Sequence, residues 1–169
     1  SLAILPPSIV PQAALAVYLG RTLADAPDMP AGTPVVALAV DSREGFDNLD
    51  DVPEGPAQWG DLRRVGASLD ERYAGLFTQA LGILNWHTSY RYSPRAGVET
   101  VPTMAGWVRK DEEHEYFPRT DAAVIVGVVD ADDRLLLGAN AMGEANRFSL
   151  LAGLVEPGEA LEAAVIREV

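Results

Sequence analysis

The residues from Phe148 to Val169 leave the chain few ways to fold there. An apolar run, Phe148-Ser149-Leu150-Leu151-Ala152, gives way to Gly153-Leu154-Val155-Glu156-Pro157-Gly158 and then to a stretch with helical spacing. That order reads as strand, glycine-containing loop, helix. Glu159 opens the helix, where a carboxylate suits the positive end of the dipole. Leu161, Ala164 and Val165 recur as an inward stripe, and Glu168 continues it. A carboxylate on the inward side of a helix is costly unless something positive meets it. Arg167 is one candidate and a divalent cation is another. An ordinary amphipathic helix with Glu168 at its frayed edge fits the spacing equally well.

Charge and composition narrow the function classes. The net charge of -12 argues against general binding of nucleic acid or anionic membranes, while leaving room for a local basic site for a phosphate. There is no Cys, so neither a disulfide nor a thiolate metal site can form. No apolar run approaches the length of a membrane span, and no signal peptide is visible. The chain begins at Ser1 and stops within the pattern just described, which reads as a piece of a longer, soluble, cytoplasmic protein.

Along the chain, residues 1–10 are apolar and broken by a Pro pair. Residues 14–19 and 34–40 read as strands of a small sheet spanning residues 13–40, joined by a polar, Pro- and Gly-rich loop over 24–33. Residues 41–56 are acidic and read as a solvated connector. Ser68 and Glu71 form a capping box, and Leu69, Tyr73, Leu76, Ala80 and Leu84 follow at helical spacing, predicting a helix over 69–86. Gly75 and Gly82 lie inside it, where a bare backbone would let another element approach. Residues 88–121 are irregular. The nearly all-apolar run 122–129 suits a central strand buried on both faces. A turn at 130–133, a return strand at 134–139, a polar loop over 140–147 and a strand at 148–152 complete the reading.

Gly153, Glu159, Arg167, Glu168 and Val169 fall at the spacing of the Nudix box, G-x5-E-x7-R-E-U, with U aliphatic. The phrase Leu150-Leu151-Ala152-Gly153-Leu154-Val155-Glu156-Pro157-Gly158-Glu159 resembles the NADH pyrophosphatase branch of the Nudix hydrolases. So does Glu115-Tyr116-Phe117-Pro118-Arg119-Thr120-Asp121, which is similar to that branch's lead-in to the catalytic domain. Family members have a four-cysteine zinc ribbon in the region of residues 88–120. Here Ser93 and Ala96 stand where the first thiolate pair would be, and the second pair, expected between Trp107 and Tyr116, is missing too. The resemblance implies an α+β chain. Its parts are an amino-terminal mixed-sheet domain (1–67), a linking helix (68–87), a ribbon-like segment without zinc (88–120) and the start of a Nudix α/β/α sandwich (121–169). Packing by Tyr90, Tyr92, Trp107, Tyr116 and Phe117 is expected to replace the zinc.

The resemblance also implies a chemistry: hydrolysis of the diphosphate of NADH or NAD⁺ to nicotinamide mononucleotide and AMP, with Mg²⁺ or Mn²⁺ as cofactor and no zinc. Some members remove NAD caps from RNA. By resemblance Glu168 is a metal carboxylate and Ala152 offers its backbone carbonyl to the metal. Glu159 and Arg167 pair along the helix and pin the loop, and Gly153 lets the backbone turn beside the ligand. Arg63, within Gly60–Arg64, and Phe117 are candidate substrate contacts. With Glu168 alone of the box carboxylates, this stretch by itself is expected to be inactive, and the parent is expected to be a homodimer. Two other readings remain at this point: a Nudix hydrolase for another nucleoside diphosphate derivative such as an ADP-sugar, and a non-catalytic dimerisation or binding module.

Overall fold

The computed structural model describes residues 2–6, 15–40, 57–139 and 146–169. The acidic connector 41–56, residues 1 and 7–14 of the amino terminus and residues 140–145 of the polar loop lie outside the described residues. The chain divides into two compact units, Ser1–Pro118 and Arg119–Val169. Both are built from short antiparallel sheets and helices, an α+β arrangement.

The first unit starts with a hairpin, β1 (Leu15–Arg21) against β2 (Pro34–Ala39), with a bulge between Tyr18 and Gly20. Its connection is not the plain polar loop that composition suggests. Met29 is buried at 1% exposure, and Ala26 and Met29 exchange backbone hydrogen bonds. Asp25 Oδ1 accepts from Ala31 N at 2.8 Å, and Tyr73 donates to Asp28 at 2.5 Å. One turn of helix, α1 (Leu62–Val65), precedes the long helix α2 (Glu71–Ser89). The cap of α2 differs from the expected box. Asp70 is the N-cap and accepts from Tyr73 N, while Ser68 donates its hydroxyl to Val65 O. A 3₁₀ turn over Gly66–Ser68 holds Ser68 two residues too early to cap α2.

The buried stripe of α2 is Tyr73, Ile83, Trp86 and His87. It leaves the expected line at its carboxyl end, where Ile83 takes the inner position and Leu84 packs beside it. Gly75 and Gly82 have no close neighbour among the described residues: a β-carbon at either would meet nothing there within 4 Å. The close approach falls elsewhere, at Gly106. There the backbone adopts φ +93°, and a β-carbon would lie 2.8 Å from Val17 Cγ2. Val17, Ile83, Trp86 and Tyr116 form the core, with Tyr90 and Trp107 packed against it. Of the five aromatics expected to pack here, Tyr92 and Phe117 do not, at 55% and 59% exposure. Around this core the region after α2 forms a three-stranded sheet ordered β3 (Val101–Thr103), β4 (Val108–Lys110), β5 (Glu115–Tyr116).

In the second unit β6 (Ala123–Val126) pairs antiparallel with a strand over Leu151–Leu154, and two shorter strands, Gly138–Ala139 and Phe148–Ser149, pair beside a bridge between Val129 and Leu135. In chain order these are β9, β7 and β8. Helix α3 (Leu161–Glu168) packs on β6 and β9. Strand β6 is covered on one face only: Val124 is buried, yet Ile125 is 72% exposed. Among the described residues α3 is the one layer laid on this sheet, so the expectation of burial on both faces is not met. Leu161 also leaves the expected stripe of α3, which buries Ala164 and half-buries Val165 and Glu168.

Candidate functional site

The corner between β9 and α3 is closed by a turn over Glu156-Pro157-Gly158-Glu159. Glu159 N donates to Glu156 O at 3.0 Å, and Gly158 takes φ +84° after a Pro, the sequence a type II turn demands. Helix α3 begins at Leu161 after Ala160, two residues later than the carboxylate expected to open it. Glu159 instead folds back, its Oε2 accepting from Glu156 N at 3.0 Å.

Arg167 reaches back two helical turns to the same carboxylate. Its Nε donates to Glu159 Oε1 at 2.8 Å and its Nη2 to Oε2 at 3.0 Å, the fork geometry a guanidinium is shaped for. Nη2 also reaches Leu154 O at 2.9 Å, and Nη1 reaches Glu168 Oε1 at 2.5 Å. The hydrogen bonds from Arg167, then the Glu156 amide, hold the Glu159 carboxyl down at about 2. The bonds from Glu159 and Glu168 push the guanidinium above its ordinary value. Helix, turn and the end of β9 are thus joined through one side chain. The Leu154 carbonyl and Glu156 amide belong to that joint although sequence reading did not single them out. The Pro-Gly pair at 157–158 was the available signal, because a tight turn there leaves neighbouring backbone groups free to bond side chains.

Glu168 lies over β9. Its carboxyl group occupies the space a side chain at Gly153 would need, so any β-carbon there would collide with it. Gly153 pairs with Val124 and Ala152 with Ile125 in the β6–β9 ladder. The structure therefore brings Gly153, Glu159, Arg167 and Glu168 together, with Ala152 next in the chain. Arg63, exposed on α1, and Phe117 belong to the first unit, not to the unit that carries this cluster. Among the described residues no group of three or more His, Asp or Glu side chains gathers as a metal site.

Two family models match the chain. One, the NADH pyrophosphatase-like rudimentary NUDIX domain, matches residues 3–86, and the other, the NUDIX domain, matches residues 118–169 and so contains the whole corner. The chain belongs to the Nudix family. Similar Nudix relatives include the NAD-capped RNA hydrolase NudC of Mycobacterium tuberculosis (strain ATCC 25618 / H37Rv), 44% identical over 119 residues, covering 69% of this chain and 38% of the relative. Another is the NAD-capped RNA hydrolase NUDT12 of Homo sapiens, 36% identical over 112 residues, covering 60% of this chain and 24% of the relative. The chain thus spans well under half the length of the Nudix relatives it matches.

Proposed function

We propose that the protein carrying this chain hydrolyses the diphosphate of NADH or NAD⁺, and of NAD caps on RNA, with Mg²⁺ or Mn²⁺ bound at the β9–α3 corner. The observation that supports this best is the Glu168 carboxylate laid across the bare backbone of Gly153. Its oxygens, with the Ala152 carbonyl, are hard donors of the kind these cations take. When bound, the ion would neutralise the diphosphate and help to activate water. Glu159 and Arg167 act as positioning residues. Their fork fixes the turn and the last turn of α3, and with it the direction of the Glu168 side chain.

Arg63 and Phe117 are proposed as substrate contacts. An exposed guanidinium suits a phosphate, and a ring at 59% exposure can stack on a base. That the relatives are NAD-capped RNA hydrolases favours NAD-type substrates. The same reading makes the second unit part of a Nudix α/β/α sandwich and the 88–120 segment a zinc-free ribbon, in a cytoplasmic protein. We also propose that it is a homodimer. The bare face of β6 and β9, with Ile125 and Leu154 at 72% and 66% exposure, is apolar surface that association can cover. Among the described residues no helix is long and apolar enough to cross a membrane.

The test is a matched assay, with Mg²⁺ or Mn²⁺, of the whole protein and its Glu168→Gln variant on NADH, NAD-capped RNA and an ADP-sugar. Loss of roughly 100- to 1,000-fold in kcat is expected for Glu168→Gln. An unchanged rate would remove the corner from the chemistry. A protein that spares NADH and cleaves the ADP-sugar would keep the site and overturn the substrate. A monodisperse monomer in light scattering across a wide concentration range would count against the dimer.

A further inference from the structure

Between α2 and Phe117 the chain makes two tight turns with the same internal pattern. In the first, Ser93 Oγ accepts from the amides of Arg95 and Ala96 at 3.3 and 3.1 Å. In the second, Asp111 Oδ1 accepts from the amides of Glu113 and His114 at 2.9 and 2.6 Å. In each turn one side chain gathers the amides two and three residues on, so residues 93 and 96 correspond to 111 and 114. A metal bridging such turns would take its four ligands from those positions. The residues there do not fit zinc. Ala96 has no donor atom, Ser93 offers a neutral hydroxyl and there is no thiolate.

The space between the turns is filled by a phenol. Tyr116 OH donates to Asp111 Oδ2 at 2.9 Å, so its oxygen accepts from the Ser93 hydroxyl at 2.6 Å. The direction of every proton in the chain follows: Ser93 to Tyr116, Tyr116 to Asp111. Ser93, Tyr116 and the Asp111 side chain are 3%, 8% and 4% exposed. A buried carboxylate is tolerable when hydrogen-bond donors surround it, and here two amides and a hydroxyl do so. Burial alone would raise the Asp111 carboxyl. The Glu113 and His114 amides, then the Tyr116 hydroxyl, outweigh it and hold the group well below the usual carboxylate range.

We propose that the buried chain Ser93–Tyr116–Asp111 cross-links the two turns in place of a metal ion and makes the fold of residues 90–116 metal-independent. It ties turns far apart in sequence, as a bound cation would, but through directional hydrogen bonds whose loss is local and graded. The proposal stands apart from the catalytic reading, because all of its residues lie in the first unit.

The experiment is amide hydrogen exchange on the purified protein, with and without a strong chelator, for wild type, Tyr116→Phe and Ser93→Ala. Tyr116→Phe keeps the ring in the core and removes only the bridging hydroxyl. Exchange at the amides of Ala96 and His114 should speed up together, by about tenfold or more, while the amides of α3 serve as an unchanged reference. Chelator should change nothing in the wild type. Should Tyr116→Phe unfold the first unit as a whole, Ser93→Ala, which leaves ring and carboxylate in place, should still loosen both turns together. Unchanged exchange in the folded variants, or loosening of one turn alone, would overturn the cross-link. Chelator-induced exchange in the wild type would show that a metal holds the turns and would overturn it as well.

Discussion

Gly106 and Gly153 are both glycines pressed against a neighbour, and they differ in what the neighbour is. A β-carbon at Gly106 would stand 2.8 Å from Val17 Cγ2 and 3.0 Å from the Val17 backbone, against a wall of branched side chain and main chain at the centre of the core. Over Gly153 lies the carboxyl end of Glu168, a side chain on a flexible stem that can swing away. The first contact can be relieved only by moving the fold. The second can be relieved by moving one functional group. Tight packing around a glycine therefore carries stability in one unit and the aim of a carboxylate in the other.

The largest effect that would break this contrast is on activity. Gly153→Ala in the whole protein should displace Glu168 and cost roughly 100- to 1,000-fold in kcat, as Glu168→Gln does, with the thermal midpoint nearly unchanged. A near-normal rate, or a large loss of stability, would erase the distinction. Gly106→Ala should do the reverse. It adds a β-carbon against Val17 at a backbone angle of +93°, and should destabilise the first unit by about 3 kcal/mol in a denaturant titration. Smaller, and confined to the second unit, is Arg167→Lys. It keeps the charge and loses the fork to Glu159, so kcat should fall by about tenfold to 100-fold through misplacement of Glu168. Faster amide exchange at Glu156 should accompany it.

The smallest effects concern pH and salt, and they compare two carboxylates. Glu159 is held by a guanidinium and the Glu156 amide, and Asp111 by two amides and the Tyr116 hydroxyl. Both have folded-state values below their unfolded ones, so each contributes stability above the unfolded value and loses it as pH falls. For Glu159 the window runs from 4.5 down to about 2. For Asp111 it opens near 3.8 and extends lower. Urea titrations should therefore show stability falling below about pH 4.5 in the second unit and only below about pH 3.8 in the first. Raising salt at neutral pH should loosen the exposed Arg167–Glu159 joint and leave the Asp111 turn unmoved. Equal salt sensitivity at Glu156 and His114 amides would mean that the Asp111 turn also leans on an ion pair.

How much of this was legible follows from which forces are local. The strand–turn–helix order of 148–169 was readable because its spacing and its Pro-Gly turn are written in adjacent residues. Glu159 and Arg167 were expected to pair along one helix, but Glu159 lies in the turn before α3 and folds back to meet the guanidinium. The cap of α2 was misread because Ser68 and Asp70 are both good caps, and only the 3₁₀ turn before the helix selects Asp70. The second turn was missed because Asp111 and His114 resemble any exposed acidic stretch until Tyr116 is brought beside Ser93. The burial of His87 at 3% was equally hidden. Its Nε2 meets Gly106 O at 2.7 Å and its Nδ1 meets Arg109 at 3.0 Å, partners 19 and 22 residues away. Burial lowers the imidazole's proton affinity, and Arg109 lowers it further against the Gly106 bond. Such contacts join distant parts of the chain, and no window of sequence contains both halves.

The connection between β1 and β2 bears on how the molecule can be altered. A hairpin loop rich in Pro, Gly and Asp is where an engineer would place an epitope tag or open new termini. Here Met29 plugs the interior and Asp28 is tethered to Tyr73, so the second half of the loop is unsuited to insertion. Leu23, at 98% exposure, marks the half that faces solvent. A foreign sequence would be tolerated beside Leu23 and would disrupt the domain a few residues further on.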